Sequence, residues 1–278
     1  MSRSGCLRGR TGGPPFSQMK LYALYTPSHE ALAKEWFLPS LLDDYDLHVA
    51  RQPQDGAGDD HRYGTPAFNR TTLAKVELII QAIRDNWDDV FLFSDVDIQF
   101  FQSVRGALDK AILGRDVAFQ QNQLNGEINS GFFVCRANVR TQRLWERVRE
   151  VMQRNPAWND QDALNHVMLQ QVPAGLRDRL LSPVTQRRLA AAAMRGLAMH
   201  RVAHVLNLFP NEFGVQWRYL PIEFFTTGMT RGTDWEPGQD LRLPRRIAMH
   251  HANFCVGVEA KAQQLREVRQ TVVRRQAG

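Results

Sequence analysis

The stretch FLFSDVDIQFF, residues 91 to 101, places two aspartates inside a run that is otherwise almost entirely apolar and aromatic. Such a run predicts a buried strand, and a buried carboxylate is costly unless another group offsets its charge. Side chains at positions i and i+2 of a strand face the same side. We therefore expect Asp95 and Asp97 to point at one place where the strand leaves the core.

Two carboxylates aimed at one place suit a divalent cation. Mg²⁺ and Mn²⁺ take oxygen ligands, and magnesium typically keeps only one or two protein carboxylates while phosphate oxygens fill the other positions. The Asp-x-Asp pattern is weak evidence by itself, because two more such triplets begin at Asp44 and Asp160. The triplet at Asp44 lies in a polar turn, which is typical of solvated acids. Metal binding is the favoured interpretation only for Asp95 and Asp97, called the acid pair below.

Strands and helices are predicted to alternate on both sides of the acid pair. The expected strands lie at about 20–26, 46–50, 90–97, 115–121 and 131–135, and the expected helices at 29–42, 70–86, 139–154, 160–170 and 185–198. This alternation predicts an α/β fold with a mostly parallel central sheet flanked by helices. Ligand sites of open α/β sheets lie outside the carboxyl ends of the strands, where the acid pair is expected.

The ends of the chain differ in composition from its body. Residues 1–18 are rich in glycine, proline, serine and arginine, which predicts a disordered basic leader and leaves Met19 as an alternative start. We expect a single domain over residues 19–262 and a basic C-terminal helix or tail over residues 263–278. The turn formers and charges of residues 51–65 predict a mobile loop beside the site.

The charge and the cysteines exclude some classes of function. The net charge of the 278 residues is +6, but the first 18 residues contribute +3 and the last 18 contribute +4, which leaves −1 for the body. The body of the chain therefore supplies no basic groove, and no nucleic-acid partner is predicted. Three cysteines without short paired spacing predict neither a disulfide framework nor a cysteine-ligated zinc site.

A membrane-spanning segment is not predicted either. No apolar run approaches the roughly 18 to 20 residues that cross a bilayer, and the N-terminus lacks the apolar segment of a signal peptide. We therefore expect a cytoplasmic protein. Its basic ends are compatible with peripheral contact with an anionic membrane or glycan surface, although solvated tails are the commoner explanation.

Four motifs occur in the order found in retaining nucleotide-sugar glycosyltransferases of the GT-A fold: FLFSDVD at 91–97, INSGFFVCRAN at 128–138, NDQDALN at 159–165 and HHAN at 250–253. Over roughly residues 20–262 the chain most closely resembles the nucleotide-diphospho-sugar transferase domain of glycosyltransferase family 77, and it also resembles family 8. The resemblance implies a GT-A-type, Rossmann-like fold. It also implies retention of configuration.

The resemblance assigns a metal cofactor, Mn²⁺ or Mg²⁺, to the acid pair. In these families the metal is held on the diphosphate of the donor. The resemblance assigns Asp95 to both the metal and the donor, and Asp97 to the metal. A histidine near the C-terminal end of the domain is a further ligand in these families. His251 matches their His-x-Asn pattern through Asn253, and His250 is the adjacent alternative. A hydrogen-bonded structural histidine is the other interpretation.

The same resemblance assigns three positions to the donor phosphates. Lys75, on the predicted helix before the acid pair, is expected near them, where an ammonium serves as a point charge. A solvated helix face is the alternative for Lys75. Gly257 and Lys261 stand for a glycine and a lysine that follow the histidine more closely in family 8.

Contacts with the transferred sugar are assigned to two further motifs. Asn129, Ser130 and Gly131 are expected to contact the donor sugar and the acceptor, although a structural turn before a strand is the alternative. Asp160 and Gln161 are assigned to the sugar-facing side as the catalytic candidates.

Three other assignments have structural alternatives. Asp162 is a less certain sugar contact, and an N-cap at Asn159 or Asp160 is compatible with the assigned roles. Tyr25 and Thr26, at the end of the first strand, are placed near the base and ribose, with strand-end packing as the alternative.

The residues and the resemblance together predict a metal-dependent glycosyltransferase. The donor is expected to be a UDP-sugar and the acceptor a hydroxyl group of a glycan, a protein or a small molecule. A sugar-1-phosphate nucleotidyltransferase is a weaker alternative, because YTPSHEALAKEW after the first strand lacks a glycine-rich basic loop. A non-catalytic protein that binds nucleotide sugars is the third hypothesis.

Overall fold

Two β-sheets organise the residues that the computed structural model describes, which are 18–53, 65–122, 126–182, 205–224, 226–227, 235–241 and 243–277. The strands are β1 (Lys20–Tyr25), β2 (Asp46–Arg51), β3 (Val90–Ser94), β4 (Ile98–Phe100), β5 (Val117–Gln121), β6 (Ile128–Arg136), β7 (Trp217–Tyr219), β8 (Thr226–Thr227) and β9 (Met249–His251). The α-helices are α1 (Leu38–Ser40), α2 (Pro66–Asp85), α3 (Arg105–Ile112), α4 (Val139–Arg154), α5 (Asp160–Leu169), α6 (Ala174–Leu181) and α7 (Val258–Ala277). Other helical segments are Pro27–His29, Leu32–Phe37 and Ile222–Phe224.

The central sheet has the strand order β2-β1-β3-β6-β5-β7. β1 pairs in parallel with β2 and β3, and β5 pairs in parallel with β7. β6 runs antiparallel to both of its neighbours, β3 and β5. Five of the six strands therefore run in one direction, which confirms the predicted α/β fold with a mostly parallel sheet.

Both faces of the central sheet are buried. One face packs against α2, α4 and α5, which contribute Ile79, Trp145 and Leu164 to the core. The other face packs against α3 and the second sheet, which contribute Leu108 and Met249. Burial on two faces explains why β3 and the segments 117–119 of β5 and 132–135 of β6 are continuous apolar runs rather than alternating ones.

The second sheet is small and has the order β4-β9-β8. β9 runs antiparallel to β4 and parallel to β8. The chain leaves the central sheet after Ser94 and enters the second sheet at Ile98. The acid pair therefore lies at the junction of the two sheets.

The acid pair does not lie on a strand, so the prediction that strand periodicity aims its carboxylates is wrong. Residues 95–97 form a bend between β3 and β4. The Asp95 N–H donates to the Gly131 carbonyl at 2.7 Å, and the Ala252 N–H donates to the Asp97 carbonyl at 2.8 Å. Hydrogen bonds to β6 on one side and to the residue after β9 on the other hold this bend in place.

β6 starts earlier than predicted. It begins at Ile128, so Asn129 and Gly131 lie within the strand and not in a turn before it. The Asn165 side chain explains the early start, because it accepts from the Ile128 N–H at 3.0 Å and donates to the Ile128 carbonyl at 2.8 Å. The register of β6 against β5 shifts between Phe119 and Gln120, and such irregularities re-aim side chains next to functional sites.

The helices agree with the prediction more closely than the turns do. α4 and α5 match the helices expected at 139–154 and 160–170. α2 starts before position 70 because Thr65 caps it, accepting from the Phe68 N–H at 3.2 Å. The helix expected at 185–198, and most of the leader and of the loop at 51–65, lie outside the described residues. Among the helices that the structure describes, none is long and apolar enough to cross a membrane.

Asp116, the residue just before β5, joins three parts of the fold by hydrogen bonds. The Asp116 carboxylate is buried and accepts hydrogen bonds from the Asn138 side chain at 2.8 Å, from Arg140 Nη2 at 2.6 Å and from the Gln216 N–H at 2.8 Å. Burial by itself would raise the pKa of Asp116, but these hydrogen bonds hold the pKa below its usual value. The ionised carboxylate therefore stabilises the folded state.

We expect Asp116→Asn to lower the free energy of unfolding at neutral pH by about 2 kcal/mol, since hydrogen bonds to a charged group are lost. Because the folded pKa is depressed, this stabilisation is present above the unfolded value of about 3.9 and is lost as the pH falls through the folded pKa. Urea unfolding at pH 7 and at low pH measures both effects. Asp109→Asn, which removes an exposed ion pair with Arg105, is the control and should cost less than about 1 kcal/mol. Equal losses in the two variants would contradict this role for Asp116.

Candidate functional site

Three side chains from two distant parts of the sequence converge at the junction of the two sheets. Asp95, Asp97 and His251 each offer a ligand atom, and these atoms all lie within 4.8 Å of one another. His251 Nε2 lies 3.2 Å from Asp97 Oδ1 and 3.8 Å from Asp95 Oδ2. The Asp95 side chain is 28% exposed, whereas those of Asp97 and His251 are nearly buried. The cluster is thus open on the side of Asp95.

The pairing of β9 with β4 places His251. Ile98, the first residue of β4, is the register partner of His251, so the histidine lies beside the end of the acid pair. Gln99 is the partner of His250, whose side chain alternates to the other face. His250 Nε2 lies 2.7 Å from Gln264 Oε1. The structure therefore brings His251, and not His250, to the carboxylates.

His250 has the properties of a structural histidine. It is completely buried, and burial lowers its pKa to about 4 although the hydrogen bond with Gln264 opposes this shift. The neutral ring fastens β9 to α7, the helix that carries Gln264. The structural interpretation considered for the histidine pair thus applies to His250.

Two lysines flank the acid pair. Lys75 Nζ lies 3.0 Å from Asp95 Oδ1 and 2.8 Å from Asp160 Oδ2, and it lies over the Phe93 ring at 5.5 Å from the ring centre. Lys261 Nζ lies 2.5 Å from Asp97 Oδ2. The Lys261 side chain is 19% exposed and that of Lys75 is 10% exposed. Lys75 is therefore enclosed, and the alternative of a solvated helix face is wrong for it.

The two acids of the pair are electrostatically different. Burial raises the pKa of Asp95, and the positive charge of Lys75 offsets only part of this effect. Burial acts in the same direction on Asp97, but Lys261 and His251 outweigh it and hold the pKa of Asp97 well below its usual value. Burial alone would lower the pKa values of Lys75 and Lys261, but the carboxylates that they contact raise both. Both ammonium groups are therefore charged at neutral pH.

β6 supplies a close wall of the cluster. The Asn129 side chain accepts from the Gly131 N–H at 2.8 Å and donates to Asn122 Oδ1 at 2.8 Å, so these local hydrogen bonds fix it. Ser130 is buried in the same strand segment. The Gly131 carbonyl accepts from the Asp95 N–H, as described above, which joins this segment to the acid pair.

At the start of α5, Asn159 and Asp162 cap the helix, whereas Asp160 contacts the site. Asn159 is the N-cap: its side chain accepts from the Asp162 N–H at 2.9 Å, and Asp162 Oδ2 accepts from the Asn159 N–H at 3.2 Å. Asp160 is buried and contacts Lys75. Gln161 is half-buried, and no hydrogen bond among the described residues joins its side chain to the acid pair.

For the remaining predicted residues, Tyr25, Thr26 and Gly257, no hydrogen bond or ion pair with the acid pair is present in the described part of the chain. Tyr25 ends β1, which is parallel to β3, so it lies at the same edge of the sheet. Thr26 is buried, and its hydroxyl lies 2.9 Å from that of Ser28. Gly257 has a φ of +91°, and its carbonyl accepts from the Lys261 N–H at 3.2 Å. It forms the turn from which α7 presents Lys261.

Sequence reasoning missed two amides that support the cluster. Gln120 Oε1 lies 3.0 Å from His251 Nδ1, and Asn165 holds the start of β6. Both are polar residues inside apolar segments, VAFQQ and DALNHVML, and this is the signal that could have identified them. Burying an amide costs free energy, as burying a carboxylate does, but the cost for an amide is smaller, so the signal is weaker.

Several solved structures show a distant similarity to this chain. The galactosyltransferase LgtC, in complex with donor and acceptor sugar analogues, is 14% identical, with a TM-score of 0.38 over 53% of this chain and 69% of that one. A glycosyltransferase involved in glycosylation of the major capsid of PBCV-1 is 9% identical, with a TM-score of 0.46 over 90% and 99% of the two chains. The bifunctional glycosyltransferase WbbM in its apo form is 10% identical, with a TM-score of 0.48 over 91% and 50%.

The family to which the chain belongs follows from the sequence profile that it matches. No curated protein matches the chain significantly. The profile described as nucleotide-diphospho-sugar transferase, in contrast, matches residues 26–265. These residues include the acid pair, His251 and Lys261, together with eight of the nine strands in the described part of the chain. The chain therefore belongs to the nucleotide-diphospho-sugar transferase family and is a glycosyltransferase.

Proposed function

We propose that this glycosyltransferase moves a sugar from a UDP-sugar to a hydroxyl group of a glycan, protein or small molecule, in a metal-dependent reaction with retention of configuration. Family 77 is the narrower relationship that we propose, and residues 19–262 are the proposed catalytic domain. The observation that carries the proposal is the convergence of Asp95, Asp97 and His251 within 4.8 Å.

The charge balance of the site supports a requirement for a cation. Among the residues that the structure describes, three carboxylates, those of Asp95, Asp97 and Asp160, contact two ammonium groups, those of Lys75 and Lys261. With all five groups ionised, the cluster is net negative and repels a diphosphate. A divalent cation reverses the sign of the cluster, so that a diphosphate is attracted.

The residues present fit such a cation. Two carboxylates and an imidazole offer the oxygen and nitrogen ligands that Mn²⁺ accepts. A Cβ at Gly131 would lie 2.4 Å from Asp95 Oδ2 and 2.4 Å from His251 Cε1, so only glycine leaves these ligand atoms undisturbed. A cation held by Asp95, Asp97 and His251 supplies neutralisation of the charge on the departing diphosphate.

The proposed roles of the lysines follow from their surroundings. Lys261 is the more exposed of the two, and we assign it to the donor phosphates, with Gly257 forming the turn that presents it. Lys75 is already paired with two carboxylates, so it holds Asp95 and Asp160 in place beside the phosphates.

The start of α5 is assigned to the transferred sugar. Asp160 and Gln161 bind its hydroxyl groups or stabilise an oxocarbenium-like centre. The acceptor hydroxyl attacks from the face that the diphosphate leaves, and its proton passes to a phosphate oxygen. Positioning and electrostatic stabilisation account for most of the catalysis. The remaining proposed donor and acceptor contacts are Tyr25, Thr26, Asn129, Ser130, Gly131 and Asp162.

The proposal predicts that Asp97→Ala lowers the rate of UDP release from a UDP-sugar in Mn²⁺ by about 10²–10³-fold, since an electrostatic contact with the reacting phosphates is lost. A screen of UDP-sugars with wild-type protein identifies the donor, and circular dichroism shows that the variant is folded. Asp44→Ala is the matched control, because Asp44 belongs to an exposed Asp-x-Asp triplet. A wild-type protein that UDP-sugars stabilise without UDP release would be a binding protein and not an enzyme.

The two histidines are expected to respond differently to metal. Mn²⁺ at 100 times its dissociation constant should stabilise the wild-type protein by about 2.7 kcal/mol, because it binds the folded state. His251→Ala should lose most of this stabilisation. His250→Ala should be less stable without metal, since it opens a buried cavity, but should keep its response to Mn²⁺. Thermal unfolding with and without Mn²⁺ measures both quantities, and a reversed pattern would assign the metal to His250.

We expect Gly131→Ala to weaken Mn²⁺ binding and to destabilise the fold. The loss of binding free energy should be at least as large as the loss of unfolding free energy, because the added methyl group would contact Asp95 and His251 directly. Gly106→Ala is the matched control, since a Cβ at this α3 position meets nothing within 4 Å. That variant should be unchanged or stabilised by up to about 1 kcal/mol, as expected for a helical glycine. Isothermal titration with Mn²⁺ tests the pair, and an unchanged affinity in Gly131→Ala would show that the cation lies elsewhere.

A further inference from the structure

Gln120 links the central sheet to the histidine of the candidate metal site. It is completely buried at the register shift of β5. Its Oε1 lies 3.0 Å from His251 Nδ1, and its Nε2 donates to the Phe224 carbonyl at 2.7 Å. The Ala248 N–H, just before β9, donates to the Glu223 carbonyl at 2.8 Å, so the segment that holds Gln120 is itself fastened to the strand that carries His251.

The Phe224 carbonyl determines how the amide is oriented. A carbonyl can only accept a hydrogen bond, so the amide must present its NH₂ group to Phe224. Reversing the amide would bring two oxygens to hydrogen-bond distance. With the NH₂ group so engaged, Gln120 presents an oxygen to His251 Nδ1, which must then be the donor. Only Nε2 of His251 is left to face Asp95 and Asp97.

We propose that Gln120 is a positioning residue that fixes the tautomer and the ring orientation of His251, so that Nε2 is the metal-binding atom. This inference rests on the proposed function. Metal-binding histidines generally donate their other N–H to an oxygen, and loss of that acceptor typically weakens metal binding by about 10–100-fold. Gln120 supplies such an oxygen from a site that is rigid because a second hydrogen bond holds it.

The neighbouring histidine offers an internal comparison. His250 also contacts a buried glutamine, Gln264, but through Nε2 and on the other face of β9. The same type of contact is thus present on an imidazole that lies on the face of β9 away from the acid pair. Gln264 therefore serves as a matched control for the removal of a buried amide from a histidine.

The first test is the affinity for Mn²⁺, measured from the electron paramagnetic resonance signal of the free ion. We expect Gln120→Met to bind Mn²⁺ about 10–100-fold more weakly than wild type, and Gln264→Met to stay within about twofold. A Gln120→Met variant that binds Mn²⁺ within about twofold of wild type, or a Gln264→Met variant that loses as much affinity as Gln120→Met, would overturn the proposal.

A double-mutant cycle separates positioning from general destabilisation. If Gln120 acts through His251, adding Gln120→Met to His251→Ala should change Mn²⁺ affinity by no more than about twofold. The full loss in both backgrounds would overturn the proposal. If neither His251→Ala nor Asp97→Ala changes Mn²⁺ affinity, the proposed metal site itself fails, which is a different result.

A measurement on the wild-type protein avoids any dependence on variant folding. Nitrogen NMR of ¹⁵N-histidine-labelled, metal-free protein reports which ring nitrogen carries a proton, and the His251 signals are identified by their absence in His251→Ala. A proton on Nδ1 of His251 supports the proposal. A bare Nδ1 overturns it, because Gln120 would then have no donor to accept from.

Discussion

The site depends on keeping three carboxylates together at an edge of the sheet where little water reaches them. Lys75 pairs with Asp95 and Asp160, and Lys261 pairs with Asp97. Removing one partner of such a buried set leaves an uncompensated charge, which is far more costly than replacing the whole set. Each of the five side chains therefore depends on a partner within the set, and the loss of any one leaves a charge without one of its partners.

The ion pairs also explain how distant parts of the chain are assembled. Lys75 comes from α2 and Lys261 from α7, so the bend between β3 and β4 is joined to the helix that precedes it and to the last helix of the described chain. Lys75 is buried while its ammonium group reaches Asp95 and Asp160, which is how a long side chain can lie in a core and still carry a charge. The two sheets position the acid pair, and the ion pairs then favour the arrangement of α2 and α7 in which each carboxylate contacts a lysine.

The sequence was sufficient to locate the candidate site but not to predict its local geometry. The cost of Asp95 and Asp97 in an apolar run identified the acid pair, and helical periodicity predicted α4 correctly. The end of β3 at Ser94 could not be predicted, because the apolar pattern continues through it. Hydrogen bonds to Gly131 and from Ala252 decide that break, and both residues are distant in sequence. Gln120 escaped notice for a similar reason, since its partners become neighbours only in the folded chain.

The antiparallel pairing of β9 with β4 also bears on how the site tolerates insertions and deletions. Sliding β9 by one residue would bring His250 to the place of His251, so an imidazole would still face the carboxylates. The same slide would push His251 into the place of Ala252, which is completely buried against Leu32 and Leu265. Aliphatic neighbours offer an imidazole no hydrogen bond, and a methyl-sized space cannot hold its ring. Ala252, which does not contact the proposed metal, thus decides which of the two adjacent histidines can serve as a ligand.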